Sequence, residues 1–210
     1  MKSNKPTLSN WIKIPAISAA AVISAVVFFA YTNQYIDFSK ASGSMAGLTF
    51  TKEEAATNVG GIVPAQIMLN TDGAAIRGTD VRISFDPSHL ELISISPSAK
   101  DSTSLQTYTP LNGRVFNSDY VLSQANKTGF IEFSAVTADM KTGAITAPFK
   151  GLTILADLTF RSIQEGKTTL TVIRQHPSQD STVIDDSKPP QNILLKTNTL
   201  TVTSGAALSR

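Results

Sequence analysis

The segment that decides the fold reads Ile76-Arg-Gly-Thr-Asp-Val-Arg-Ile-Ser-Phe85, and the chain then turns into Leu90-Glu-Leu-Ile-Ser-Ile95. From Val81 to Phe85, apolar residues alternate with polar ones, which is the period of a strand that buries one face and exposes the other. Between the two runs, Asp86-Pro-Ser88 has the composition of a tight turn, since proline presets the backbone angle φ there. This segment therefore predicts two consecutive strands joined by a short turn.

The same alternation recurs along the chain after residue 48, and no window there shows a sustained helical repeat of apolar residues. Further strands are predicted at residues 62–69, 115–122, 129–135, 152–160, 168–173 and 193–202. The run Gln-Glu-Gly-Lys at residues 164–167 predicts a hairpin turn between two of them. About nine short strands without a helix predict an all-β domain over residues 48–204, built as a two-sheet jelly-roll β-sandwich.

The N-terminal part of the chain has a different character, because residues 14–31 carry no charge and are apolar on all sides. At helical rise this segment covers roughly 27 Å, enough for the hydrocarbon core of a bilayer. Lys2, Lys5 and Lys13 precede it without any acidic residue, so residues 1–13 are expected in the cytoplasm. The sequence thus predicts one N-terminal transmembrane helix with the C-terminal domain outside, at a bacterial cell surface.

A cleaved signal peptide is the competing interpretation of the same apolar segment. A cut after Ala30 places Phe28 where a small side chain is required, which favours an uncleaved anchor. Residues 32–47, which include a Ser/Ala/Gly-rich stretch, are expected to form a linker. Residues 205–210 are left as a C-terminal tail.

Composition excludes several function classes. The 18 basic and 16 acidic residues are dispersed, so no basic stripe predicts a nucleic-acid partner. The chain has no cysteine, which excludes disulfides, thiolate zinc sites and a cysteine nucleophile.

No motif of catalytic, metal-binding or cofactor-binding residues is apparent, so the chain is expected to be a non-enzyme without cofactors. His89 and His176 stand without a serine or acid spaced for a relay, and a surface position is expected for both. Asp180, Asp185 and Asp186 lack the alternating pattern of a calcium loop and are expected in a solvated acidic loop. A glycosidase would need two facing carboxylates, and nothing favours the available pair, Glu91 and Glu132.

Several segments, taken in order, resemble the cohesin family. Residues 67–95, with Phe85-Asp-Pro followed by Leu90-Glu-Leu, are similar to the opening strands of cohesin modules. Residues 128–135 are similar to their central strand and residues 151–172 to their penultimate hairpin. The run Ser-Thr-Val-Ile-Asp-Asp at 181–186, with Asn-Ile-Leu at 192–194, is similar to their closing motif.

The resemblance implies a nine-stranded jelly-roll sandwich, related to carbohydrate-binding modules, that docks the dockerin modules of polysaccharide-degrading enzymes. The chain departs from a scaffold protein because it holds a single module on its own anchor, without internal repeats. A protein partner of the dockerin kind is therefore what the resemblance implies, with polysaccharide as a second candidate partner and the membrane bound through the N-terminal helix.

In cohesins the partner lies across one sheet face, so the resemblance selects the outward polar residues of the matching strands. The candidate partner-binding residues are Asp80, Arg82, Ser84, Asp119, Tyr120, Glu132 and Ser134. Solvent-facing polar residues are also what any half-buried sheet requires.

Two other functions stay open. A carbohydrate-binding module would stack sugars on exposed aromatic rings, for which the predicted domain offers the tyrosines Tyr108 and Tyr120. A structural or adhesion surface protein would present an unpaired edge strand.

Overall fold

The structure is a computed structural model that describes residues 45–97, 105–108, 116–138, 144–174 and 180–206. The predicted cytoplasmic segment, the predicted transmembrane helix and almost all of the predicted linker lie outside the described residues. Within them, none of the helical structure combines the length and the apolar character needed to cross a bilayer. The first strand begins at Ala46, slightly before the predicted start of the domain.

The described residues form twelve strands and one helix, more strands than the nine expected. In chain order these are β1 (Ala46–Phe50), β2 (Glu54–Asn58), β3 (Ile62–Asn70), β4 (Ile76–Ser84), β5 (Leu90–Pro97), β6 (Gln106–Tyr108), α1 (Ser118–Thr128), β7 (Phe130–Val136), β8 (Leu152–Ser162), β9 (Gly166–Val172), β10 (Thr182–Asp185), β11 (Leu194–Thr197) and β12 (Thr199–Gly205). The prediction of an all-β two-sheet sandwich is confirmed for this part of the chain.

The strands form two sheets that enclose one apolar core. Sheet I has the order β11-β1-β3-β8-β5, and sheet II has the order β2-β12-β9-β4-β7-β6, with β10 also paired to β4. Inward-facing residues of both sheets are buried, and the rings of Phe85 and Phe160 meet edge to face with their centroids 5.4 Å apart. Such aromatic pairs stabilise a core beyond the area that they bury.

Among the described strands the chain passes from sheet I to sheet II five times, and two of these crossings meet at one corner. Strand β1 continues into β2 across Thr51–Glu53, and β11 continues into β12 at Asn198. The single strand predicted at residues 193–202 is therefore two strands in different sheets. At this corner the N–H of Phe50 donates to Oδ1 of Asn198 at 2.6 Å, and Nδ2 of Asn198 donates to the carbonyl of Phe50 at 3.0 Å.

The prediction of a strand at residues 115–122, in a chain without helices, is wrong. Helix α1 occupies this region, and Asn117 caps it by accepting the N–H of Tyr120 at 3.0 Å. The helix ends at Gly129, whose φ of 76° is the left-handed conformation that glycine adopts without strain. Val121 and Ala125, four residues apart, are its buried face, which matches the helical period.

Helix α1 packs against β5 at the edge of sheet I and against β7 in sheet II. Its Asn126 pairs with the backbone of the edge strand: the N–H of Leu92 donates to Oδ1 of Asn126, and Nδ2 of Asn126 donates to the carbonyl of Leu92, both at 2.8 Å. The helix therefore closes one side of the sandwich.

Candidate functional site

Five of the seven predicted residues share the outer face of sheet II. Strands β4 and β7 are antiparallel neighbours whose register places Asp80 opposite Ser134 and Arg82 opposite Glu132. Because side chains alternate along a strand, Ser84 points to the same side as Asp80 and Arg82. The predicted alternation is confirmed by the burial of the intervening residues of β4.

Asp80 is tied to its neighbours on both sides. The hydroxyl of Ser134 on β7 donates to Oδ1 of Asp80, and the hydroxyl of Thr182 on β10 donates to Oδ2 at 3.2 Å. Ser134 is 1% exposed and Thr182 is fully buried. Since a buried hydroxyl without a partner is costly, Asp80 stabilises this part of the sheet as well as contributing to its surface.

The Arg82 side chain contacts the carboxylate of Glu132 and the ring of Phe130. Its Nη1 lies 2.8 Å from Oε1 of Glu132, and its guanidinium carbon lies 4.5 Å from the centre of the Phe130 ring. The Arg82 side chain is 15% exposed, whereas that of Glu132 is 50% exposed. The ion pair is therefore screened by solvent on one side, and the cation–π contact adds to it.

Asp119 and Tyr120 are not on the strands that carry the other five residues. Both lie in the first turn of helix α1, where Asp119 is exposed and Tyr120 is half-buried. Their prediction as neighbours of the strand residues depended on a strand at 115–122. The structure brings together Asp80, Arg82, Ser84, Glu132 and Ser134.

The sequence analysis did not predict that residues of β9 and β12 form the second half of this face. On β9 and β12 the register places Thr171 opposite Thr199, Thr169 opposite Thr201 and Lys167 opposite Thr203. The signal was present as threonine at every second position of residues 199–203. Where β9 meets the end of β4, an open depression of about 580 Å³ is lined by hydroxyl groups, Lys167 and Asp86.

The turn after β4 corrects the prediction that His89 has no acid or serine beside it. Nδ1 of His89 lies 2.8 Å from Oδ2 of Asp86 and 3.2 Å from the hydroxyl of Ser88. A catalytic relay requires the acid and the serine on opposite ring nitrogens, whereas here both approach Nδ1. Nε2 lies instead beside Gly166, so this cluster is a turn rather than a nucleophile.

The same turn lowers the pKa of Asp86. The hydroxyl and the backbone N–H of Ser88 donate to Oδ1 of Asp86 at 2.6 and 2.8 Å, and His89 adds a hydrogen bond and a charge interaction. These donors favour the charged carboxylate, so the pKa lies below its ordinary value.

The expectation of a solvated acidic loop is wrong for Asp185, which is the last residue of β10 and is 7% exposed. Oδ1 of Asp185 accepts the N–H and the hydroxyl of Ser187 and the N–H of Gln191, while Asp186 pairs with Arg77. Among the described residues, no group of three His, Cys, Asp or Glu side chains is placed to hold a metal ion. His176 lies outside the described residues.

The fold separates the two carboxylates that the sequence analysis weighed as a pair. Glu91 lies on β5 of sheet I and pairs with Arg161 at 3.3 Å, whereas Glu132 is on the outer face of sheet II. These carboxylates therefore do not face each other across a cleft. Tyr108 lies on β6 and Tyr120 on helix α1, two different elements.

Comparison with known proteins shows the fold. No protein-family model matches the chain, and no curated protein matches it. A chain of the CaDoc0917 and CaCohA2 complex is 18% identical with a TM-score of 0.50, over 77% of this chain and 100% of that chain. A chain of the Coh-OlpC and Doc435 complex, a type I cohesin–dockerin complex from Clostridium thermocellum, is 12% identical with a TM-score of 0.52, over 78% and 95%.

The third ScaB cohesin of R. flavefaciens, solved in complex with a group 1 dockerin, is similar to the same extent. The two chains are 12% identical with a TM-score of 0.51, over 78% of this chain and 97% of the other. At these identities the likeness shows the fold alone. The described part of the chain has a cohesin-like fold.

Proposed function

We propose that this chain is a membrane-anchored recognition module that holds a protein partner of the dockerin kind at the bacterial cell surface, by binding alone. The observation that carries the proposal is the outer face of sheet II. It joins a polar cluster on β4 and β7 to threonine rows on β9 and β12, in a fold shared with cohesins solved in complex with dockerins. Such a partner would link the module to polysaccharide degradation.

The chemistry of the face supports a polar protein partner. The carboxylate of Glu132 is half-exposed, and Nε of Arg82 has no hydrogen-bond acceptor within the described part of the chain. The Arg82 side chain is 15% exposed and its Nε is buried, so a partner charge can compete for Glu132, the exposed member of the pair, which gives specificity and speeds encounter. The threonine hydroxyls beside them donate and accept hydrogen bonds without a fixed charge.

Direct glycan binding is less well supported. The aromatic side chains that the structure describes are all buried or half-buried, and the Phe130 ring is covered by Arg82. Sugars stack on exposed rings, so this face offers a glycan few of the contacts that such modules use.

The anchor is proposed from the sequence. Residues 14–31 are uncharged, and the lysines before them favour a cytoplasmic N-terminus, which leaves the sandwich outside the cell. In this arrangement the module retains its partner at the surface and carries out no reaction of its own.

The test compares two glutamates on opposite faces of the sandwich. Full-length protein in detergent is immobilised and offered purified dockerin modules and, separately, insoluble cellulose. Glu132→Lys on sheet II should weaken dockerin binding by at least about tenfold, because it reverses a charge at the proposed interface. Glu91→Lys is the matched control, since Glu91 is similarly exposed and also paired with an arginine, but lies on sheet I.

Two outcomes of this binding experiment would contradict the proposal. Loss with Glu91→Lys and retention with Glu132→Lys would move the interface to sheet I. Retention on cellulose without binding to any dockerin would replace the proposal with a glycan-binding module.

A further inference from the structure

One end of the sandwich is where the chain enters from the N-terminal segment. There Gly47 of β1 lies opposite Asn70 of β3, and Asn70 lies opposite Leu152 of β8. The N–H of Thr71 donates to the carbonyl of Gly151, which links the loops 71–75 and 144–151. The loop 186–191 joins them through the N–H of Asp186, which donates to the carbonyl of Ala75. We call this the tethered end: Met45, residues 70–75, 144–152 and 186–191.

The tethered end carries three exposed apolar side chains. Ile145 is 74% exposed, Leu152 61% and Met45 47%, whereas the two other exposed large apolar side chains of the described residues, Ile62 at 50% and Ile163 at 44%, lie at the opposite end. Exposing large apolar side chains to water is unfavourable, and the two most exposed of the five, Ile145 and Leu152, both lie at the tethered end.

The charges around these side chains favour an anionic surface. Lys150 and Lys188 are both exposed in the loops of the tethered end. Of the acids there, Asp186 forms an ion pair with Arg77, whereas Asp72 has no ion-pair partner among the described residues, so the two lysines exceed the acids left without such a partner by one. Lysine beside exposed aliphatic side chains is the combination found where proteins lie on anionic lipid headgroups.

The length of chain before Met45 brings this end to the bilayer. Residues 32–44 are the thirteen residues between the proposed span and Met45, so Met45 is separated from the bilayer by at most ~45 Å of chain. The opposite end lies beyond Ser162, where β8 finishes, roughly 33 Å further along that strand. The tethered end is therefore the part of the sandwich that meets the membrane first.

We propose that the tethered end rests on the lipid surface, with Met45, Ile145 and Leu152 at headgroup depth and Lys150 and Lys188 toward anionic headgroups. This inference rests on the anchor proposed above. It orients the module: the depression at the end of β4 and the Asp86–His89 turn face away from the membrane, toward an arriving partner.

The experiment uses the absence of native cysteine, so a single introduced thiol is labelled without competition. Full-length Ile145→Cys and Leu152→Cys are labelled with the fluorophore NBD and reconstituted into vesicles of phosphatidylcholine and phosphatidylglycerol that contain a headgroup nitroxide quencher. Ile163→Cys is the matched control, because Ile163 is 44% exposed and lies at the opposite end. We expect quenching at positions 145 and 152 to exceed that at 163 by about threefold or more.

Flotation of the same samples separates the two proposals. A chain that co-floats with vesicles but shows equal quenching at all three positions keeps its anchor and overturns the inference. A chain that does not co-float overturns the anchor and the inference together.

Discussion

The outer face of sheet II has two halves that satisfy their polar groups in different ways. On β4 and β7, Asp80, Arg82 and Glu132 are each held by a neighbouring side chain. On β9 and β12, threonines face one another in rows, and none of the ion pairs in the described part of the chain falls there. The difference teaches that a change on β4 or β7 alters stability and surface together, whereas a change on the threonine half alters mainly the surface.

The largest effect should come from Asp80. Asp80→Ala leaves the buried hydroxyls of Ser134 and Thr182 without their acceptor, and we expect the free energy of unfolding to fall by about 2–3 kcal/mol. Urea unfolding of the full chain, followed by circular dichroism, measures this loss. Asp80→Asn retains a carbonyl acceptor and should lose clearly less; equal losses in the two variants would contradict the role given to these hydrogen bonds.

A smaller effect is expected from the ion pair on the same half. In a double-mutant cycle of Arg82→Met and Glu132→Gln, the coupling free energy should be about 0.5 kcal/mol, because half of the Glu132 side chain is in water. The coupling should decrease as sodium chloride is added. A coupling that salt does not change would show that the pair is more shielded from solvent than its exposure indicates.

Single substitutions on the threonine half should change the free energy of unfolding only slightly. Thr169→Ala and Thr201→Ala, a cross-strand pair, should each lower the free energy of unfolding by about 0.5 kcal/mol, through weaker strand preference and packing. Thr201→Val keeps the branched side chain and should leave stability unchanged. A loss comparable to that of Asp80→Ala would remove the distinction between the two halves.

The smallest effect lies at the boundary between the halves, in the turn of Asp86. The folded-state pKa of Asp86 is lowered, so its stabilising contribution is present above the unfolded pKa and disappears as pH falls through the folded pKa. Asp86→Asn should therefore be less stable than the native chain near neutral pH, and the difference should vanish in strong acid. Unfolding curves at several pH values test this, and a difference that grows in acid would reverse the assigned sign.

The alternation of β4 and β7 could be predicted from the sequence, because one buried face imposes a period of two. Helix α1 could not be recognised as readily, since Phe116, Tyr120 and Val121 favour strands and only two of its positions are buried. Its Asn117 and Gly129 caps were the readable signals. Strand β2 has no apolar alternation, and its conformation depends on parallel pairing with β12, which local sequence does not encode.

The placement of the candidate residues on one sheet face was predictable to the same limit. Asp80, Arg82 and Glu132 followed from the strand period and the family resemblance. Phe130 did not, because its contact with Arg82 depends on the register between β4 and β7. The Asp86–His89 contact was readable in principle, since it spans three residues within one turn.

Asn126 affects whether the edge strands of two copies of this sandwich can pair. Its carboxamide occupies the N–H and carbonyl of Leu92 on an edge strand, the groups through which the strand of another copy would add to sheet I. A neighbouring module can reach those groups only if the helix first leaves. While the helix stays in place, the edge of sheet I is therefore closed at Leu92 to the strand of a second copy.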